Sequence, residues 1–64
     1  MWVVIHMVKG QKEAERIKAA IEKEGIMVRI LPVYKKIDQD ENYYKITVLE
    51  VEAEEAREIM MVQM

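Results

Sequence analysis

Few side chains in this sequence can do chemistry. His6 is the only histidine, Thr47 is the only aliphatic hydroxyl, and the 64 residues contain neither cysteine nor serine. A hydroxyl or thiol nucleophile activated by histidine therefore has one weak candidate, and no glycine-rich loop is present to cradle a phosphate. Lysine and carboxylate chemistry stay open on composition alone. A deep pocket is not expected in so small a unit unless a dimer forms one. The expectation is a non-enzymatic protein without a cofactor.

One constellation could bind rather than react. If Val3, Ile5 and Met7 face a helical layer, strand alternation carries Trp2, Val4 and His6 to the opposite side of the sheet. Met27, Arg29, Leu31, Tyr43, Lys45 and Thr47 join them there. His6, Arg29, Tyr43 and Lys45 would then offer an imidazole, two cations and a phenol to a small anion or phosphate. The plainer reading is favoured, because a one-residue slip in register would undo the site. In that reading His6 packs at an oligomer interface with Trp2, Val4, Met27, Leu31 and Tyr34, and the Arg and Lys stems cover apolar surface.

Metal and nucleic-acid chemistry are weaker. Asp38-Gln39-Asp40-Glu41-Asn42 resembles the opening of a calcium loop, but Tyr43 stands at the required glycine and Leu49 at the closing glutamate. A solvated turn is the better reading, and His6 has no second histidine for zinc, so no metal is expected. Tyr34, Tyr43, Tyr44 and Trp2 beside Lys35, Lys36 and Lys45 could stack bases. The net charge of −2 argues against it, and packing of these aromatics is preferred.

The elements that must position these residues follow from hydrophobic period. Met1 to Val8 reads as a strand apolar on both faces. From Lys12 the period changes, and Ala14, Ile17, Ala20 and Ile21 fall on one side of a helix that Glu24-Gly25 ends. Ile26, Val28 and Ile30 alternate in a second strand, with Pro32 suited to an outer position. Tyr44, Ile46 and Val48 alternate in a third strand over Tyr43 to Glu50. Tyr34 and Ile37, flanking the polar turn, suggest that both strands run on into a protruding hairpin arm over Tyr34 to Asn42. A second helix begins near Glu52, with Ala53, Ala56, Ile59 and Met60 at helical spacing and Met60, Met61 and Met64 forming an adaptable apolar tail.

The order β-α-β-β-α, with right-handed crossovers, is met by a single α+β domain over residues 1–64. Its sheet order is 1-3-2 with both helices on one face, a ferredoxin-like fold lacking the fourth strand. Sixty-four residues sit near the lower limit for a self-sufficient core, and without cysteine no disulfide can reinforce it. Met1 to Val8 carries no charge or proline to blunt an exposed edge. Two dimer modes are open: strand one pairing with its symmetry mate, or stacking of two helix-free faces. No run is long enough to span a bilayer and no secretory signal is evident, so a cytoplasmic homo-oligomer, a dimer first of all, is expected.

The chain also resembles a family of small bacterial proteins described as prokaryotic signal-transducing proteins. The likeness rests on the helix Glu13-Ala14-Glu15-Arg16-Ile17-Lys18-Ala19-Ala20-Ile21-Glu22 leading through Glu24-Gly25-Ile26 into a strand. It continues in Ile46-Thr47-Val48 before Glu52-Ala53-Glu54-Glu55-Ala56 and Ile59. The resemblance implies a ferredoxin-like core and a part in signalling, and brings no catalytic residue with it. A homo-oligomeric regulatory or protein-interaction module is thus the leading expectation. A small-molecule or anion sensor using the open sheet face is the alternative.

Overall fold

The computed structural model describes residues 1–63; Met64, placed above in the apolar tail, lies outside them. The elements run β1 (Trp2–Lys9), α1 (Gln11–Glu22), β2 (Val28–Pro32), β3 (Tyr43–Leu49), a 3₁₀ turn (Glu50–Glu52) and α2 (Ala53–Gln63). β3 lies between β1 and β2 and is antiparallel to both, giving the order β1-β3-β2. This is the β-α-β-β-α arrangement expected from the hydrophobic pattern, with two outer strands. The shorter one ends at Pro32, where a missing N–H costs the sheet least.

A single apolar layer joins helices to sheet. Ala14, Ile17 and Ile21 of α1 and Ala53, Ala56 and Met60 of α2 are buried against Val8, Ile26, Val28, Tyr44, Ile46 and Val48. The three- and four-residue spacing on α1 aligns Ala14, Ile17 and Ile21 into one stripe. The two-residue spacing on β3 turns Tyr44, Ile46 and Val48 to the same side. Both helices therefore share one face of the sheet, and the other face has no helix over it.

Glycine makes the junctions at both ends of α1. Gly10 alone connects β1 to α1 at φ 90°, ψ 137°, a region almost closed to residues with a Cβ. Its N–H donates to Asn42 O at 2.8 Å, and the Gln11 N–H donates to Gln39 O at 3.1 Å. At the far end Gly25, at φ 88°, closes the turn by donating its N–H to Glu22 O.

Two expectations are corrected. First, the segment between β2 and β3 is not a protruding arm. Beyond Pro32 the ladder continues only through the Val33 N–H to Tyr43 O, after which the chain folds back toward Gly10 and Gln11. Buried Asn42 ties it down: its Oδ1 accepts from the Tyr34 N–H at 3.1 Å and the Tyr43 N–H at 2.7 Å, while Nδ2 donates to Tyr34 O at 2.7 Å. One amide thus takes over the pairing that extended strands would have made.

Second, β1 does not alternate regularly. Val3 pairs with Val48 and Val4 with Thr47, but His6 then pairs with Ile46 and Val8 with Tyr44. Ile5 is the extra residue of a β-bulge, and a bulge shifts every later side chain to the other face. His6 therefore lies on the side of Ile46, toward the helices, whereas Met7 pairs with Lys45 and is exposed on the helix-free side. Ile5 itself packs against the core. The expected places of His6 and Met7 are exchanged.

Candidate functional site

The helix-free face is built in cross-strand rows. Directly opposed residues of paired strands share a face, so the register alone assigns them. Trp2 stands beside Leu49; Val4, Thr47 and Arg29 form the next row; Met7, Lys45 and Leu31 the third; Lys9 and Tyr43 the fourth. Val4 and Met7 are each 49% exposed, Leu31 47% and Tyr43 41%, so one apolar patch crosses all three strands.

Arg29 and Trp2 bridge this face from its two outer strands. The Arg29 guanidinium carbon sits 4.5 Å from the centroid of the Trp2 ring, a cation–π contact. The contact spans β3 at the level of Thr47, which explains why a residue on a face without helices is only 3% exposed. The Thr47 hydroxyl donates to Arg29 O at 2.9 Å, so the chain's sole aliphatic hydroxyl is buried and engaged with the backbone. That arrangement serves packing and leaves no free nucleophile at Thr47.

Charge is segregated as well. Lys9, Arg29 and Lys45 all belong to this face, whereas none of the twelve Asp and Glu residues lies in a strand. The carboxylates occupy both helices, the turn after α1, the loop before β3 and the turn before α2. Lys9 reaches Glu41 at 3.6 Å, an exposed pair of small energetic weight. The best-formed ion pair lies away from this face, on the exposed side of α1. Arg16 donates to both carboxylate oxygens of Glu13 at 2.8 and 2.7 Å. Those hydrogen bonds, helped by the nearby positive charge, hold the Glu13 carboxyl below its ordinary range and raise the Arg16 guanidinium.

Of the four residues considered for anion binding, Arg29, Tyr43 and Lys45 share the helix-free face and His6 is across the sheet from them. Of the residues considered for an interface, Trp2, Val4 and Leu31 share that face, Met27 is exposed just before β2, and Tyr34 is exposed in the loop tied down by Asn42. His6 again falls on the other side. Sequence reasoning missed Met7, because unbroken apolarity along β1 hides the bulge. It also missed the Arg29–Trp2 contact, although both residues had been assigned to one face. The described residues enclose no pocket and bring together no group of three metal-ligating side chains. None of their helices is long and apolar enough to cross a membrane.

Comparison with known proteins adds nothing to this geometry: no family model, curated protein or solved structure matches the chain. The functional reading therefore rests on the two surfaces left without a covering element, the outer edge of β1 and the helix-free face.

Proposed function

We propose that this protein is a non-enzymatic interaction module that works as a homodimer, joined by antiparallel pairing of the outer edges of two β1 strands. The observation that carries the proposal is β1 itself. It is an eight-residue outer strand bonded on one side only, with no formal charge from Trp2 to Val8. Its free backbone groups form a pairing template, and a two-fold mate presents the same strand in the antiparallel sense. The bulge at Ile5 leaves Trp2–Val4 and His6–Lys9 as the regular stretches able to build the new ladder.

Charge favours this mode over stacking of two helix-free faces. Stacking would bring Arg29 and Lys45 of one copy against the same cations of the other, and of the face's cations Lys9 alone has a carboxylate partner, Glu41, among the described residues. A part in signalling is what the family resemblance contributes. The anion-sensor alternative is left with Arg29, Tyr43 and Lys45 on the helix-free face and without His6, which lies across the sheet from them.

Single cysteines placed in a chain that has none test the proposal. A disulfide requires Cα atoms within about 7 Å. Edge pairing places two β1 strands about 5 Å apart, whereas the two β2 strands are then five strand spacings apart, roughly 24 Å. Because only residues nearest the two-fold axis face their own copies, single cysteines are placed in turn at Val3, Val4, Ile5, His6 and Met7; oxidation should cross-link at least one of them and leave Leu31→Cys monomeric on a denaturing gel. Cross-linking of Leu31→Cys in preference to every β1 variant would sink the edge-paired dimer.

A further inference from the structure

We infer that the helix-free face is a docking site for an acidic amphipathic helix of a partner protein. An edge-paired dimer leaves this face open in both copies, so the inference goes beyond the self-association proposed above. The face combines exposed Val4, Met7, Leu31 and Tyr43 with Lys9, Arg29 and Lys45. Lys9 already has Glu41 at 3.6 Å, but among the described residues no carboxylate of this chain pairs with Arg29 or Lys45, so an occupant that buries the apolar side chains is matched best if it also brings carboxylates. A protein of net charge −2 that gathers three of its ten cations on one apolar face is complementary to such a segment.

Dimensions point to one helix. Three strands spaced by about 4.8 Å give a face roughly 14 Å wide, and a helix with its side chains is about 10 to 12 Å across. The eight residues of β1 extend for roughly 26 Å, which a helix covers in roughly 17 residues. A second copy of this chain stacked face to face is disfavoured by its own like charges. Single-stranded nucleic acid is disfavoured because base stacking needs free aromatic faces. Arg29 already covers one side of Trp2, leaving Tyr43 as the exposed aromatic of the strands, and the rest of the patch is aliphatic.

The test is a fluorescence titration of the full chain, using Trp2 as the sole tryptophan and reporter on the face. The probe is a synthetic peptide of roughly 17 residues with Leu at i, i+3, i+4 and i+7 and Glu elsewhere. Its controls are the same peptide with Lys in place of Glu, and a short oligothymidylate. The acidic peptide should change Trp2 emission saturably, bind at least about tenfold tighter than the lysine peptide, and weaken as salt rises. Lys45→Glu and Met7→Asp, both substitutions on the helix-free side, should each lower its affinity by about tenfold while the far-ultraviolet circular dichroism stays that of the parent. Equal binding of the two peptides, tighter binding of oligothymidylate, or unchanged affinity in both folded variants would overturn the inference.

Discussion

Replacing Asn42 by alanine should cost this domain a large share of its stability, although the side chain belongs to no helix or strand. The amide is 3% exposed and makes three hydrogen bonds, two accepted from the Tyr34 and Tyr43 N–H groups and one donated to Tyr34 O. At about 1 kcal/mol net for each bond, the loss comes to about 3 kcal/mol. A chain of 64 residues has roughly 3 to 10 kcal/mol in total. Equilibrium urea unfolding at matched protein concentration would show it, because with a slope near 1 kcal/mol/M the midpoint should fall by about 3 M. Asn42→Asp is the discriminating control. It keeps the acceptor for both N–H groups, loses the donated bond and sets an oxygen against Tyr34 O, so an intermediate loss is expected. A midpoint for Asn42→Ala within about 0.3 M of the parent would refute the role given to this amide, since that slope converts the difference to about 0.3 kcal/mol.

Three further outcomes follow from particular contacts. Gly10→Ala should cost about 1 to 3 kcal/mol in the same assay through backbone strain at φ 90°. The added methyl itself meets only Asp40 O, at an ordinary 3.6 Å, so restoring glycine and not trimming a neighbour should rescue it. Arg29→Ala should cost about 0.5 to 1 kcal/mol from the lost stacking, and should alter Trp2 emission by removing the cation held 4.5 Å from its ring; an unchanged spectrum would contradict the contact. Because Arg16 lowers the folded-state pKa of Glu13, the stability this pair supplies is present above the ordinary carboxylate value and fades as pH falls through the lowered one. Arg16→Gln should therefore be less stable than the parent at neutral pH, with the gap closing in acid, and a gap that widens in acid would reverse the assignment.

The sheet order and most of the core were legible in the sequence because β2, β3 and α1 keep clean periods. Tyr44, Ile46 and Val48 alternate with Tyr43, Lys45 and Thr47, and the buried and helix-free sides divide as that alternation requires. On β1 every residue from Met1 to Val8 except His6 is apolar, so no alternation marks the bulge at Ile5. A parity change with no polar residue to report it put His6 on the wrong side and hid Met7. The loop was misread for a related reason. Tyr34 and Ile37 looked like strand residues continuing outward, but exposed apolar residues are common on a protein surface, and the decisive group was the single amide of Asn42. Trp2 and Arg29 lie on different outer strands, and their meeting across β3 depends on side-chain reach that strand periodicity does not encode.

The dimer is tested most directly by the mass of the particle in solution. Light scattering coupled to gel filtration at micromolar concentration should give twice the 7.6 kDa of the single chain. That mass should drop to a single chain when both Val4 and Met7 are replaced by lysine, which sets like charges beside the proposed seam. A parent protein that elutes and scatters as a 7.6 kDa monomer across that range would contradict edge pairing of β1.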